Sequence, residues 1–295
     1  MKKIVLIALC SCQLIAVKAQ EKSLLDSIDA NPKQNEKVAG AFKSTRVINA
    51  HSTEMLAKGN LDFRILHRFG FVNSGPKQFW GLDQASMRLG FDYGITNNFT
   101  VGIGRSTYRK EIDAFAKVRL LQQSKGYKAM PVTVIIAGGY MVRTEESLEP
   151  VKPSFGDRSA YYMQLVIGRK ISKRLSLQLS PIFVHTNDPL IAGDDKTIPA
   201  FGIGGRYKFS KRMAFTFDYH HPGGVLNKVY TNALGMGVDI ETGGHVFQLH
   251  FSNATGMNER AYVTETTGKF FKGDIRFGFN LSRVFKLGSK KKPQE

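Results

Sequence analysis

Met87-Arg88-Leu89-Gly90-Phe91-Asp92-Tyr93 alternates large apolar residues with charged or small ones, strictly every second position. A period of two places Met87, Leu89, Phe91 and Tyr93 on one face of a strand and Arg88, Gly90 and Asp92 on the other. The pattern recurs along the chain. Leu61, Phe63, Ile65 and Phe69 interleave with Asp62, Arg64 and Arg68, and Leu175, Leu177, Leu179 and Phe183 with Ser176, Gln178 and Ser180. Phe215, Phe217 and Tyr219 interleave with Thr216, Asp218 and His220, and Ile275, Phe277, Phe279 and Leu281 with Arg276, Gly278, Asn280 and Ser282. Twelve such segments fall near 60–71, 84–94, 98–108, 110–121, 131–142, 160–171, 174–185, 200–209, 212–221, 232–241, 245–254 and 274–285. Each reaches the roughly 9–11 residues that a tilted strand needs to cross a bilayer, where soluble sandwiches use about 5–6.

The connections alternate in length. Tight turns at 94–98, 172–173, 210–211 and 242–244 separate long polar loops near 72–83, 143–159, 186–199, 222–231 and 255–273. Short turns on one side and long loops on the other predict an all-β fold: a single antiparallel up-and-down transmembrane β-barrel of about 12 strands, both termini periplasmic. Two connections fit poorly. The one at Arg109 belongs to the loop side yet is short, and 122–130 belongs to the turn side yet is long. Residues 46–53 also read as extended and are assigned to the periplasm or the lumen rather than the wall.

Residues 1–19 read as a secretory signal: Lys2 and Lys3 precede an apolar run to Val17, with a cut after Ala19. Leu9-Cys10-Ser11-Cys12 loosely resembles a lipobox, but Leu14-Ile15-Ala16-Val17 continues the apolar run past it. The expected order is signal peptide 1–19, periplasmic or lumenal extension 20–59, barrel 60–285 and basic tail 286–295. The 295 residues carry 42 Lys and Arg against 24 Asp and Glu, a net charge of +18, which falls to +15 when Lys2, Lys3 and Lys18 leave. The basic residues are scattered and the only run is Lys290-Lys291-Lys292, so nucleic-acid binding is set aside. Cys10 and Cys12 are the only cysteines and the seven histidines are dispersed, so no metal site and no cofactor are expected. Gly102-Ile103-Gly104 lacks the strand–turn–helix setting of a dinucleotide fingerprint. Lys170-Ile171-Ser172-Lys173-Arg174-Leu175-Ser176-Leu177 recurs as Lys208-Phe209-Ser210-Lys211-Arg212-Met213-Ala214-Phe215, through duplication or shared turn chemistry.

Three stretches resemble an uncharacterised outer-membrane β-barrel family of Gram-negative bacteria, a domain of unknown function. They are Leu61 to Gly70 (LDFRILHRFG), Gly81 to Ala85 with Arg88-Leu89-Gly90, and Val238 to Phe251 (VDIETGGHVFQLHF). The resemblance implies a barrel in the outer membrane and no established activity, and no functional residue is carried over from it.

Alternation turns Arg64, Arg68, Arg88, Lys117, Arg119, Lys170, Arg206 and Arg276 toward the lumen, with Asp62, Asp92, Asp113, Asp218, Asp239 and Glu241. Eight basic against six acidic groups predict ion-paired ladders rather than a single-sign filter. His250 and Ser252 share a strand face, as a general base and a nucleophile would. Phe247, Leu249 and Phe251 occupy the lipid face, so the pair points inward, away from any lipid substrate, and is read as lumen-lining. The leading functional expectation is porin-like passage of a small hydrophilic, anion-leaning solute by a barrel whose immediate partner is outer-membrane lipid. The alternatives are a hydrolase built on His250 and Ser252, and a non-conducting barrel that docks a periplasmic partner.

Overall fold

The structure, a computed structural model, describes residues 35–146, 152–242 and 245–287. The expected signal peptide and the Lys290–Lys292 run lie outside the described residues. Twelve antiparallel strands form one closed barrel. They are β1 (Asn60–Phe71), β2 (Ala85–Thr96), β3 (Phe99–Ser106), β4 (Ile112–Leu121), β5 (Thr133–Val142), β6 (Ser159–Lys170), β7 (Leu175–Thr186), β8 (Thr197–Lys208), β9 (Met213–Pro222), β10 (Ala233–Thr242), β11 (His245–Ser252) and β12 (Arg276–Lys286). Each pairs with its sequence neighbours, and β12 closes the wall on β1 from Lys286↔Asn60 to Arg276↔Phe71. Closure leaves no wall edge unpaired, which a strand-built membrane span requires.

The pleat sorts the wall by polarity, inside out relative to a soluble protein. Phe91, Ile103, Met163, Phe183 and Leu249 point outward and are exposed, whereas Arg64, Arg88, Asp92, Gln164 and Asp218 point inward and are almost fully buried. So continuous an exposed apolar belt is stable only against lipid. Tyr93, Tyr207, Phe209 and Phe285 stand exposed near the turn-side end of the belt, where amphipathic rings suit a bilayer interface.

Both irregular connections have a structural reason. Residues 122–132 are long because Ser124–Gly126 pair with Asn35–Lys37 in a two-stranded ribbon separate from the wall. The Arg109 connection is short because Arg109 and Lys110 adopt positive φ, +56° and +44°, a conformation that non-glycine residues rarely take. The two copies of the repeat share their turn chemistry. Ser172 Oγ accepts from the backbone N–H of Arg174 and Leu175, and Ser210 Oγ does the same for Arg212 and Met213.

The lumen is filled from both ends. Residues 42–56 enter from the turn side and are buried at nearly every position from Ser44 to Thr53. The β11–β12 loop enters from the other side and carries a buried helix, α1 (Glu259–Thr264), whose N-cap Asn258 accepts from Ala261 N–H at 2.9 Å. The loop-side half of the lumen holds an apolar cluster. Ala137, Met141, Ala160, Tyr162, Ile182, Val184 and Ile198 cluster with Tyr262 and Val263 of α1. β5 is apolar on both faces: Val134 and Ile136 face outward, and inward Ala137 and Met141 join the buried cluster that includes Tyr262 and Val263 of α1.

Candidate functional site

The candidate site is the lumen with its two inserts and the vestibule above them. Residues 46–51 make a tight hairpin, bridged Arg46↔His51, with Val47 N–H donating to Ala50 O at 2.9 Å. Arg46 Nη1 donates to Asn49 O at 2.7 Å within the hairpin, and the wall meets most of the other main-chain groups. Asp218 Oδ2 accepts from the N–H groups of Asn49 (2.6 Å), Ala50 (3.1 Å) and Ile48 (3.3 Å). Gln248 donates to Val47 O at 2.6 Å, Asn280 to Ile48 O at 2.9 Å and Gln178 to His51 O at 2.7 Å. Lys117 Nζ donates to Glu54 O at 2.6 Å and Thr45 O at 3.3 Å.

The other lumen charges divide between each other and the inserts. Arg88 makes a two-point ion pair with Asp113, one arm at 2.8 Å. Arg206 meets Glu241 at 3.0 Å and Asp239 at 3.9 Å. Arg64 lies 3.5 Å from Asp92 and 3.7 Å from Asp62, and its guanidinium also donates to Ser44 and Thr45 of the hairpin segment. Arg68 donates to Asn280 and to Asn49 of the hairpin at 3.0 and 3.1 Å. Three residues assigned to the lumen sit at its rims. Arg119 and Arg276 lie beside register shifts, Arg119 bonding the Asn97–Asn98 turn and Arg276 stacking 3.7 Å from the Phe71 ring centroid. Lys170 reaches Ala39 O at the turn-side mouth.

The inserts meet at the centre. Arg46 Nη1 contacts Glu259 Oε1 of α1 at 2.7 Å, and His51 Nε2 lies 3.3 Å from the same oxygen and 2.9 Å from Tyr162 Oη. Arg260 pairs with Glu111 at 2.7 Å and with Glu265, and Asn258 donates to Glu111 at 2.6 Å. Sequence reasoning assigned no role to Arg46, Glu111, Glu259 or Arg260, and read His51 only as one of the dispersed strand-end or lumen hydrogen-bonding histidines. Arg46, His51, Glu259 and Arg260 lie outside the alternating segments and Glu111 stands at the start of one, 110–121; only the extended look of 46–53 pointed toward Arg46 and His51.

Above α1 a cavity of about 560 Å³ opens on the loop side, with Ser86, Tyr108, Arg109, Glu145, Glu265 and Arg276 among its lining residues. Arg109 pairs with Glu145 at 3.1 Å, and Tyr108 Oη donates to Glu265 at 3.1 Å. Burial and the Glu265 carboxylate both push the Tyr108 phenol up, so it serves as a fixed donor. His250 and Ser252 face the lumen and make no bond to each other. His250 Nδ1 lies 3.3 Å from Gln248 O, and Ser252 Oγ accepts from Ala254 N–H.

Residues 42–285 match the family of membrane-bound beta barrel domains designated DUF5777. The chain belongs to this family. It is accordingly an outer-membrane β-barrel, with the apolar belt in the bilayer. Among solved structures, the COG4313 outer membrane channel from Pseudomonas putida F1 superimposes with TM-score 0.50 at 12% identity, over 79% of this chain and 98% of that one. NanC porin gives TM-score 0.47 at 9% identity, over 78% of this chain and 100% of its own. KdgM porin gives 0.47 at 10%, over 77% and 99%. At these identities the likeness concerns the fold alone. No curated protein matches the DUF5777 chain significantly.

Proposed function

We propose that this DUF5777 barrel is a porin-like channel for a small hydrophilic solute, with the N-terminal hairpin as its movable element. One observation carries the reading: the wall holds the hairpin through hydrogen bonds to its main chain, which water or a polyhydroxylated solute can replace. The lumen is also rich in polar atoms without a protein partner, among them Arg88 Nη1, both amide atoms of Gln164 and both ring nitrogens of His220. Groups of that kind are satisfied by water, so the interior is suited to a hydrated path. Helix α1 is held differently, by apolar packing on β6, β7 and β9 and by the Arg260–Glu111–Glu265 cluster, and acts as the fixed constriction. The vestibule's Arg109, Arg276, Tyr108, Glu145 and Glu265 offer donors and acceptors of both signs. An uncharged or weakly anionic sugar-like solute fits that lining. No covalent step enters this reading, because His250 and Ser252 lack the mutual contact that nucleophile activation needs.

Planar-bilayer recording on the full chain tests the proposal. Single-channel steps that grow in the Asp218→Ala variant are expected, since Asp218 anchors the hairpin tip. A silent membrane with both proteins would sink the channel reading. It would favour instead a scaffold whose Asn35–Lys37 ribbon, with outer edges unpaired among the described residues, adds a strand to a periplasmic partner.

A further inference from the structure

Outside the lumen, the end of the β11–β12 loop folds back over the outer face of the wall. Thr231 N–H donates to Thr266 O at 2.7 Å, and Thr231 Oγ1 and Asn253 Nδ2 donate to Gly268 O at 2.6 and 2.7 Å. The fold-back covers Leu234 of β10, which otherwise occupies the outward register beside Tyr219 of β9. It encloses a largely apolar cavity of about 360 Å³, lined by Tyr219, Leu234, Phe270 and Phe271 with Lys269 and Lys272 at its margin. Phe271 is 89% exposed, the most exposed of the large apolar side chains described, and it packs edge-on against Phe270.

This segment is held in place. Asp274 Oδ2 accepts from Lys269 N–H at 2.9 Å, and Asp274 Oδ1 accepts from Asn73 Nδ2 at 2.7 Å, tying the fold-back to the β1–β2 loop. Those bonds, and the positive charge of Lys269 and Lys272 nearby, keep the Asp274 carboxyl below the usual carboxylate range. Among the described residues neither Lys269 nor Lys272 makes an ion pair within 4.0 Å with Asp274 or any other carboxylate, so both ammonium groups can face an external anion. The apolar side of the cavity is continuous with the lipid-facing belt through Tyr219. Across the β1–β12 seam that belt carries a ring cluster in which Phe69 stacks on Phe277 and Phe251 is tilted against it.

We propose that this cavity is a binding site for a lipid whose phosphate headgroup carries net negative charge, in the leaflet on the loop side. Phe270, Phe271, Tyr219 and Leu234 receive the upper part of an acyl chain. The ammonium groups of Lys269 and Lys272 meet the phosphate. The arrangement joins the two requirements of an interfacial lipid site: aromatic surface at headgroup depth and cations just above it.

The experiment uses full-length protein in mixed micelles of phosphatidylcholine and phosphatidic acid, with retained lipid counted by native mass spectrometry. Phosphatidic acid should be retained in preference, by about fivefold for each lysine near the headgroup. Lys269→Gln with Lys272→Gln should bring the two lipids to parity while heat-modifiable gel migration stays that of the folded barrel. Equal preference in wild type and variant would overturn the site. Retention of added inorganic phosphate without preference for the lipid would overturn the lipid assignment. A second readout needs no variant: the sole tryptophan, Trp80, lies on the loop that Asn73 ties to Asp274, and brominated lipids should quench it. No quenching would place these loops clear of the bilayer and refute the proposal.

Discussion

Arg88 has no exposed surface and its guanidinium is held by Asp113 on β4, across β3. The intervening strand makes room with glycine. A Cβ at Gly104 would stand 2.3 Å from an Arg88 nitrogen, and one at Gly90 would stand 2.8 Å away. In Gly102-Ile103-Gly104, Gly104 therefore makes room for the ion pair and Gly102 for Phe115 and Asp92, and alternation alone could not reveal which side chain lies over which glycine. Asp113→Ala leaves that guanidinium buried without a carboxylate and should destabilise the barrel by about 3–5 kcal/mol in guanidinium unfolding. Replacing both partners, Arg88→Met with Asp113→Leu, should recover most of that loss, because an apolar pair needs no charge compensation. Gly104→Ala should cost about 1–3 kcal/mol by overpacking the same spot.

Most wall strands were readable because they carry a period-two pattern long enough to repeat several times; β5, apolar on both faces, is the exception. The structure moves most strand ends by only one or two residues, β8 starting earlier at Thr197. The hairpin was not readable in that way. Val47, Ile48, Asn49 and Ala50 are buried on all sides by the wall, so no exposed face remains to generate alternation. Its partners were visible as Asp218, Gln178, Gln248 and Asn280 on inward faces, but a sequence shows a polar face without showing what it binds. Asp218→Ala should orphan three buried N–H groups, at about 1–3 kcal/mol each if water does not replace the carboxylate. Hydrogen exchange is the direct measure: protection at Ile48, Asn49 and Ala50 should fall sharply while β9 amides stay protected. Helix α1 depends on its cap, and Asn258→Ala should cost about 1 kcal/mol there. That substitution also removes the bond to Glu111, so faster exchange should extend to Arg260.

A net charge of +18 suggested a polyanion partner until the charges were placed. Inside the barrel, basic and acidic groups nearly balance and are consumed by each other and by the inserts. The excess lies at rims and loops, including Lys269 and Lys272 beside the outer-face cavity. The whole molecule thus resolves into a lipid-facing shell, a fixed helical constriction on one side, and a polar-held hairpin from the other. Whether that hairpin gates a path is a property of the assembled barrel, and a covalent lock decides it. A Cβ built on Gly204 lies 3.4 Å from Val47 Cγ2, within reach of a disulfide between Val47→Cys and Gly204→Cys. The sequence has no cysteine after Cys12, so the engineered pair is free of rivals once the signal is removed. Under oxidising conditions the locked barrel should be silent in planar bilayers, and adding reductant should restore the steps seen with the wild type. Steps of equal size in both states would show that solute passes without displacing the hairpin, which would assign control of the path to α1 and the vestibule instead.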